Sequence, residues 1–180
     1  VLLEMYRFIR KAEPLVCVEL GSGASTLVIA NALKQNGKGR LISIEHDEKY
    51  LRQTIEALDQ SGLLEWVEPR EAALRPYLSN HPNTDGEKRP TIWYDVSVFS
   101  DLNDIDFIFV DGPVGRICQY SRYPVVPQLY GVLNPMAQIW MDDADREEER
   151  AICDFWLAQY KLDITRLPME KGLVKITKRS

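Results

Sequence analysis

Unbroken apolar segments alternate with segments of helical periodicity along most of this 180-residue chain. Apolar runs rich in β-branched residues are typical of strands that are buried on both faces. Their alternation with helices predicts an α/β fold: a doubly wound, mostly parallel sheet with helices on both faces. The strand-like segments are LVCVEL, RLISIEH, EWVEPREAAL, IDFIFV and AQIWMDD, at 15–20, 40–46, 65–74, 105–110 and 137–143.

The C-terminal tail carries a different signal. Two short strand patterns flank Glu170-Lys171-Gly172, which is typical of a hairpin turn and predicts antiparallel pairing at one edge of the sheet. The polar stretch 79–91 is predicted to be a surface loop rather than a boundary. Length and the lack of internal repeats predict one domain spanning 1–180.

Composition restricts the class of partner and the compartment. The net charge of −5 argues against a nucleic-acid partner, and no apolar run approaches the ~18 residues of a membrane span. The chain has three widely separated cysteines, Cys17, Cys118 and Cys153. Their odd number and their spacing argue against a disulfide framework and against a zinc site. These features fit a cytoplasmic protein.

Acidic residues gather at the predicted C-terminal ends of the strands, where ligands bind in parallel sheets. The first group contains Glu19. Capping of the following helix accounts for Asp47, and for Asp143 or Asp145, but not for acids that end apolar strands. The set therefore favours a ligand site. The four later groups are Glu45-His46-Asp47, Arg70-Glu71-Ala72, Asp111-Gly112-Pro113 and Asp142-Asp143.

The segment VELGSGAST places two glycines between the first strand and its helix. Gly21 and Gly23 let the backbone approach a ligand closely and adopt angles that a side chain would forbid. The free N–H groups of the next helix face that ligand. Glu45 follows Gly21 at about the spacing, roughly 20 residues, of an acid that binds ribose hydroxyls. Because Glu19 would repel a pyrophosphate and attract a cation, the implied ligand is a nucleoside with a positive charge and no phosphate.

Two alternatives belong to other functional classes. An NAD(P)-dependent Rossmann oxidoreductase would need the pattern GxGxxG, and Thr26 stands at its sixth position. A non-catalytic cofactor-binding partner subunit would be expected to lose the acids of the site, which this chain retains.

VELGSGAST resembles the first motif of class I S-adenosylmethionine-dependent methyltransferases. The resemblance continues through SIEHD, REAAL, FIFVDGP and IWMDDA at the later strands, over nearly the whole chain. It implies a Rossmann-like, seven-stranded sheet with an antiparallel C-terminal hairpin strand, and S-adenosylmethionine as the cofactor. The pairing of VDGP with DDA is similar to a poorly characterised bacterial subset, some of whose members look linked to sugar or envelope metabolism.

The resemblance also implies roles for the matching residues. His46 reads equally well as a solvated loop histidine, and Ser25 replaces a third glycine that is common in the motif. The implied cofactor-binding residues are Glu19, Gly21 and Gly23 for the methionine part, Ser22 in the same loop, Glu45 for the ribose, and His46, Glu71 and Ala72 for the adenine.

Asp111 is the predicted catalytic residue, because it would face the methyl-transfer site and take a proton from the acceptor. In a second route, Asp111, Asp142 and Asp143 would hold a divalent cation, as in catechol-type methyltransferases, whose last ligand is usually Asn. We favour the metal-free route. Capping of the following helix is the alternative for Asp142 and Asp143.

The acceptor is expected to be a small molecule or a saccharide, methylated on oxygen, and a homo-oligomer is compatible with the sequence. No Asn-Pro-Pro-Tyr-type signature of base or amide methylation follows the fourth strand. Aromatic and cationic side chains in 79–100 and 114–130 either contact the acceptor or pack on the surface. They are Trp93, Tyr94, Arg116, Tyr120, Arg122 and Tyr123.

Overall fold

The computed structural model describes residues 1–82 and 90–179 and contains nine strands and five α-helices in that part of the chain. The strands are β1 (Val16–Leu20), β2 (Arg40–Glu45), β3 (Val67–Glu71), β4 (Leu74–Pro76), β5 (Ile92–Tyr94), β6 (Ile105–Val110), β7 (Leu133–Asp142), β8 (Leu162–Leu167) and β9 (Leu173–Lys178). The helices are α1 (Leu2–Ala12), α2 (Ala24–Asn36), α3 (Glu48–Gln60), α4 (Val125–Leu129) and α5 (Glu147–Gln159).

Seven strands form one sheet in the order β3-β2-β1-β6-β7-β9-β8. The pairs among β3, β2, β1, β6 and β7 are parallel, whereas β9 pairs antiparallel with both β7 and β8. The predicted fold class, including the antiparallel C-terminal hairpin, is confirmed. The strand order reverses between β1 and β6, so the crevice for a ligand lies at the carboxyl ends of these two strands.

Alternate residues of the central strands enter two separate hydrophobic clusters. In β6, Ile108 and Val110 join one cluster, while Phe107 and Phe109 join the other. Because successive side chains of a strand point to opposite faces, the sheet is buried on both sides. Residues of α4 and α5 cover the first face, and residues of α1, α2 and α3 cover the second.

For several acids at the strand ends, helix capping was the alternative to a role in ligand binding. The structure shows capping by only one of them. Asp47 caps α3, since its Oδ1 accepts hydrogen bonds from the amides of Lys49 and Tyr50 at 2.9 and 3.2 Å. Helix α5 begins after Arg146 and has no side-chain cap. The capping alternative is therefore wrong for Asp142, Asp143 and Asp145, because the chain runs past all three before the helix starts.

Two features differ from the sequence-based expectations. Strand β7 begins at Leu133, four residues earlier than the predicted segment, and β4 pairs with β5 in a separate two-stranded sheet. Of the predicted surface loop 79–91, residues 83–89 lie outside the described residues. Within the described ranges, no helix is long and apolar enough to cross a membrane.

Candidate active site

The glycine bend after β1 is held against the ends of two neighbouring strands. The amide of Gly21 donates to the carbonyl of Ile44 in β2 at 2.8 Å, and the amides of Asp111 and Gly112 donate to the carbonyl of Leu20 at 3.0 and 2.7 Å. Gly21 has a φ of 93°, and a Cβ there would lie 3.1 Å from the nitrogen of Gly112. This bend requires glycine because the backbone leaving β1 packs directly on the backbone leaving β6.

Gly23 differs from Gly21. Its φ of 165° is extended backbone that any residue adopts, and a Cβ there would meet nothing within 4 Å. Its amide donates to Thr26 Oγ1 at 2.8 Å at the start of α2. The expectation of angles that a side chain would forbid is right for Gly21 and wrong for Gly23, whose missing side chain instead leaves open space beside the loop.

Glu19 is fully buried and supports the glycine bend through two hydroxyls. Its Oε2 accepts from Thr26 Oγ1 at 2.6 Å and from Ser43 Oγ at 2.9 Å. Thr26 in turn accepts from the amide of Gly23, and Ser43 Oγ lies 2.9 Å from Ser22 Oγ. Burial raises the pKa of Glu19 to about 7, although the neighbouring hydroxyls oppose this shift.

Glu45 ends β2 and ties three backbone amides together. Its Oε2 accepts from the amide of Ser22 at 2.9 Å, and its Oε1 accepts from the amides of His46 and Asp47 at 2.7 and 2.9 Å. The Nδ1 atom of His46 lies 2.9 Å from the same Oε1. A carboxylate has about four lone-pair sites, so Glu45 retains acceptor capacity for a ligand.

A cavity of about 220 Å³ opens between these elements. Of the eight predicted cofactor-binding residues, four line it, and they are Gly21, Ser22, Glu45 and His46. The other four do not line it: Glu19 and Ala72 are buried, Gly23 is half-buried, and Glu71 is exposed at the end of β3. The remaining lining residues are Asp47, Tyr50, Tyr94, Asp111, Gly112, Pro113, Val114 and Arg116.

Asp111 lies where this cavity meets a second, larger one of about 640 Å³. The carboxyl group follows β6 directly, ahead of the cis peptide bond between Gly112 and Pro113, and its side chain is 47% exposed. Partial burial raises the pKa of Asp111, and Arg122 opposes that rise. The larger cavity is lined by Asp111, Val114, Gly115, Arg116, Arg122, Asp143, Arg146, Glu147, Glu148 and Glu149.

Arg122 joins the ends of β6 and β7 although its side chain is only 2% exposed. Its Nη2 donates to the carbonyl of Asp111 at 2.6 Å and to Oδ1 of the same residue at 3.2 Å, while its Nη1 donates to the carbonyl of Asp142 at 2.7 Å. The carboxylates of Asp143 and Glu149 each lie 3.7 Å from the guanidinium. The sequence suggested Arg122 as an acceptor contact or a surface residue, because its bond to the carbonyl of Asp142 spans 20 residues and no local pattern links the two.

Comparison with known protein families decides the class of this molecule. A family model described as a methyltransferase domain matches residues 18–144, which begin within β1 and extend past the end of β7. The chain belongs to this methyltransferase family. The prediction of a class I methyltransferase is thereby confirmed.

Solved structures support the fold of the methyltransferase. A methyltransferase from Geobacter sulfurreducens has 18% sequence identity and a TM-score of 0.72, over 99% of this chain and 78% of that chain. A methyltransferase of Podospora anserina bound to S-adenosylhomocysteine has 16% identity and a TM-score of 0.74, over 98% and 77%. An O-methyltransferase of Bacillus cereus in complex with S-adenosylhomocysteine has 14% identity and a TM-score of 0.71, over 98% and 79%. No curated protein sequence matches this chain.

The second route, with a divalent cation, does not fit the side chains of this methyltransferase. The guanidinium of Arg122 lies beside the carboxylates of Asp111 and Asp143, which would have to converge on a cation, and the Asp142 carboxylate instead accepts from the amide of Asp143. Arg146 also pairs with Asp143 at 2.7 Å. Across residues 1–82 and 90–179, no group of three or more His, Cys, Asp or Glu side chains is arranged to hold a metal ion.

Most of the aromatic candidates for acceptor binding belong to the core of the methyltransferase. Trp93 is fully buried and stacks on Phe99 with ring centroids 4.9 Å apart. Tyr123 is buried and donates from its hydroxyl to Gln159 at 3.0 Å, and Tyr120 packs its ring edge against Phe155. Among the six candidates, only Arg116 and Arg122 line the larger cavity, and Tyr94 lines the smaller one.

Proposed function

We propose that this methyltransferase transfers a methyl group from S-adenosylmethionine to a hydroxyl oxygen of a small polar acceptor such as a saccharide. The observation that carries the proposal is the position of Asp111 at the junction of two cavities. One cavity contains the glycine bend and Glu45, and the other is larger and open. A carboxylate between them can contact both reactants.

The smaller cavity suits the nucleoside of S-adenosylmethionine. Glu45 offers its remaining lone pair to a ribose hydroxyl, and the bend at Gly21 and Ser22 lets the ligand lie close to the backbone. Glu19 acts through Thr26 and Ser43, because its buried carboxylate holds the bend in place rather than forming the cavity wall. The similar proteins from Bacillus cereus and Podospora anserina, which hold S-adenosylhomocysteine, support this choice of cofactor.

Asp111 is the proposed general base. When bound, S-adenosylmethionine supplies a methyl group attached to a positively charged sulfur, and the rest of the cofactor is the leaving group, a thioether with a neutral sulfur. Asp111 takes the proton from the acceptor hydroxyl while the oxygen of that hydroxyl forms the new bond to the methyl carbon. Arg122 orients Asp111 by binding both its carbonyl and its carboxylate, and its positive charge favours the ionised form that can accept the proton.

The larger cavity favours a polar acceptor over an aromatic one. Eight of its ten lining residues are charged, and none of the ten is aromatic. A catechol-like ring would find no aromatic face to stack on in that wall, whereas a polyhydroxylated molecule would find carboxylates and guanidinium groups within reach.

Calorimetry with S-adenosylhomocysteine, and separately with NAD, tests the cofactor. We expect binding of S-adenosylhomocysteine only, and a weakening of ~1.5–3 kcal/mol in Glu45→Ala, as is typical for hydrogen bonds to a charged group. Glu56→Ala, which removes an exposed carboxylate of α3 outside the cavity wall, is the control. Binding of NAD instead, or unchanged affinity in Glu45→Ala, would contradict the proposal. A panel of sugars and polyols, assayed by transfer of a labelled methyl group, then identifies the acceptor.

A further inference from the structure

Tyr94 forms part of the wall of the smaller cavity and is only 1% exposed. It is the last residue of β5 and pairs with Leu74 in β4, so the two-stranded sheet fixes its backbone. Its ring packs against Trp93 with centroids 5.7 Å apart and against His46 at 6.1 Å, in edge-to-face geometry. The side chain is therefore held in one position before any ligand binds.

The hydroxyl of Tyr94 has no hydrogen-bond partner among the described residues. Two other buried tyrosines show the usual arrangement. The hydroxyl of Tyr77 accepts from Gln128 Nε2 at 2.9 Å, and that of Tyr123 donates to Gln159 at 3.0 Å. Burial of a hydroxyl without a partner is unfavourable, so the case of Tyr94 requires an explanation.

The hydroxyl lies between the two ends of the cavity. A Cβ at Gly112 would overlap with it, and Gly112 itself packs on Gly21. Burial raises the pKa of Tyr94 well above its usual value, and the carboxylate of Glu45 raises it further, while Asp111 acts in the same direction. The group is thus a neutral hydroxyl close to both the ribose-binding acid and the proposed base.

We propose that Tyr94 is a cofactor-binding residue. Its hydroxyl has no hydrogen-bond partner within the described part of the protein and gains one from the charged end of bound S-adenosylmethionine. The proposal rests on the function proposed above. The position beside Gly21, Gly112 and Asp111 points to the sulfonium and the amino-acid part of the ligand rather than to its adenine. The sequence suggested Tyr94 only as a stacking face for the acceptor.

The test is Tyr94→Phe, which removes one oxygen and keeps the ring. Without ligand, we expect the melting temperature to stay the same or rise, because an unpartnered hydroxyl is lost. With S-adenosylmethionine, we expect affinity to fall about tenfold. Tyr77→Phe is the matched control, and it should melt at a lower temperature and bind as the parent protein does.

Three ligands separate the parts of the cofactor that the hydroxyl can contact. If Tyr94→Phe loses more affinity for S-adenosylmethionine than for S-adenosylhomocysteine, the hydroxyl contacts the sulfonium. If the variant loses affinity equally for these two ligands and keeps its affinity for 5′-methylthioadenosine, the hydroxyl contacts the amino-acid part. Either result supports the proposal.

Unchanged affinity of Tyr94→Phe for all three ligands would overturn it, as would a lower melting temperature without ligand, which would reveal a partner inside the protein. If the parent protein binds none of the three, the proposed function fails instead.

Discussion

A carboxylate that removes a proton has to be ionised before the reaction and next to the acceptor during it. Asp111, the proposed base, suits both conditions, because Arg122 favours its charged form and orients it, and because it lies at the junction of the two cavities. Its neighbour Asp142 has a different role, since its Oδ1 accepts from the amide of Asp143 at 2.9 Å and it lines neither cavity.

Asp111→Asn keeps the shape of the side chain and removes its charge. We expect affinity for S-adenosylhomocysteine to stay within a few-fold and methyl transfer to fall by ~100-fold or more, as is typical for the loss of a general base. Asp142→Asn is the matched control and should remain active. Transfer of labelled methyl to the acceptor found in the panel provides the measurement, and full activity in Asp111→Asn would rule out its role as the base.

Gly23→Val tests the open space beside the glycine loop. The backbone there tolerates any residue and no protein atom lies within 4 Å of a Cβ, so the variant should fold normally. We expect it to weaken the binding of S-adenosylhomocysteine at least about tenfold, because the new side chain fills space that the ligand needs. Gly131→Val, which also places its Cβ in open space but far from the loop, should bind normally. Normal binding by both variants would mean that the cofactor does not approach Gly23.

At the scale of the elements, the C-terminal hairpin is attached to the active-site edge of the sheet. The carbonyls of Lys171 and Gly172 accept hydrogen bonds from the amides of Asp145 and Ala144 at 3.0 and 3.2 Å. The turn of the hairpin therefore holds the loop that follows β7, which also contributes Asp143 to the larger cavity. Gly172 has a φ of 75°, and a Cβ there would lie 2.7 Å from the nitrogen of Asp145.

Gly172→Ala should destabilise the protein through both its backbone angle and this contact. A residue other than glycine in the left-handed region costs about 1–2 kcal/mol, and overpacking adds roughly 1–3 kcal/mol. Gly37→Ala isolates the first effect, because Gly37 has a φ of 67° but open space around a Cβ. Urea denaturation of both variants measures the difference. Equal losses of unfolding free energy in the two variants would show that the hairpin turn moves away from Asp145 without an energetic cost.

At the scale of the whole molecule, the buried carboxyl of Glu19 links stability to pH. Its pKa is about 7 in the folded protein, against an ordinary value of 4.5. Between these values the folded chain holds a proton that the unfolded chain releases, so a rise in pH favours unfolding. The contribution of Glu19 is complete below about pH 4.5 and is lost as the pH rises to about 7.

Glu19→Gln should remove this part of the pH dependence. We expect the stability of the parent protein to decrease by about 3 kcal/mol more than that of the variant between pH 4.5 and 7. Urea denaturation across this range gives both curves, and Glu71→Gln, at an exposed site, is the control. Parallel curves for the parent protein and Glu19→Gln would contradict a raised pKa for Glu19.

The fold, and the edge of the sheet at which the proposed site lies, could be predicted from the sequence. Periodicity and the apolar strands specify a parallel sheet, and the acids at the strand ends identify Glu45 and Asp111, because local patterns control which elements form and which residues end them. The contacts between side chains of the site could not be predicted in this way. Arg122 lies 20 residues before Asp142, whose carbonyl it binds. The hydroxyl of Tyr94 comes from the two-stranded sheet outside the main sheet, and Glu19 supports the loop through Ser43 on the next strand. These contacts join residues that are distant in sequence, so they depend on packing that no local pattern encodes.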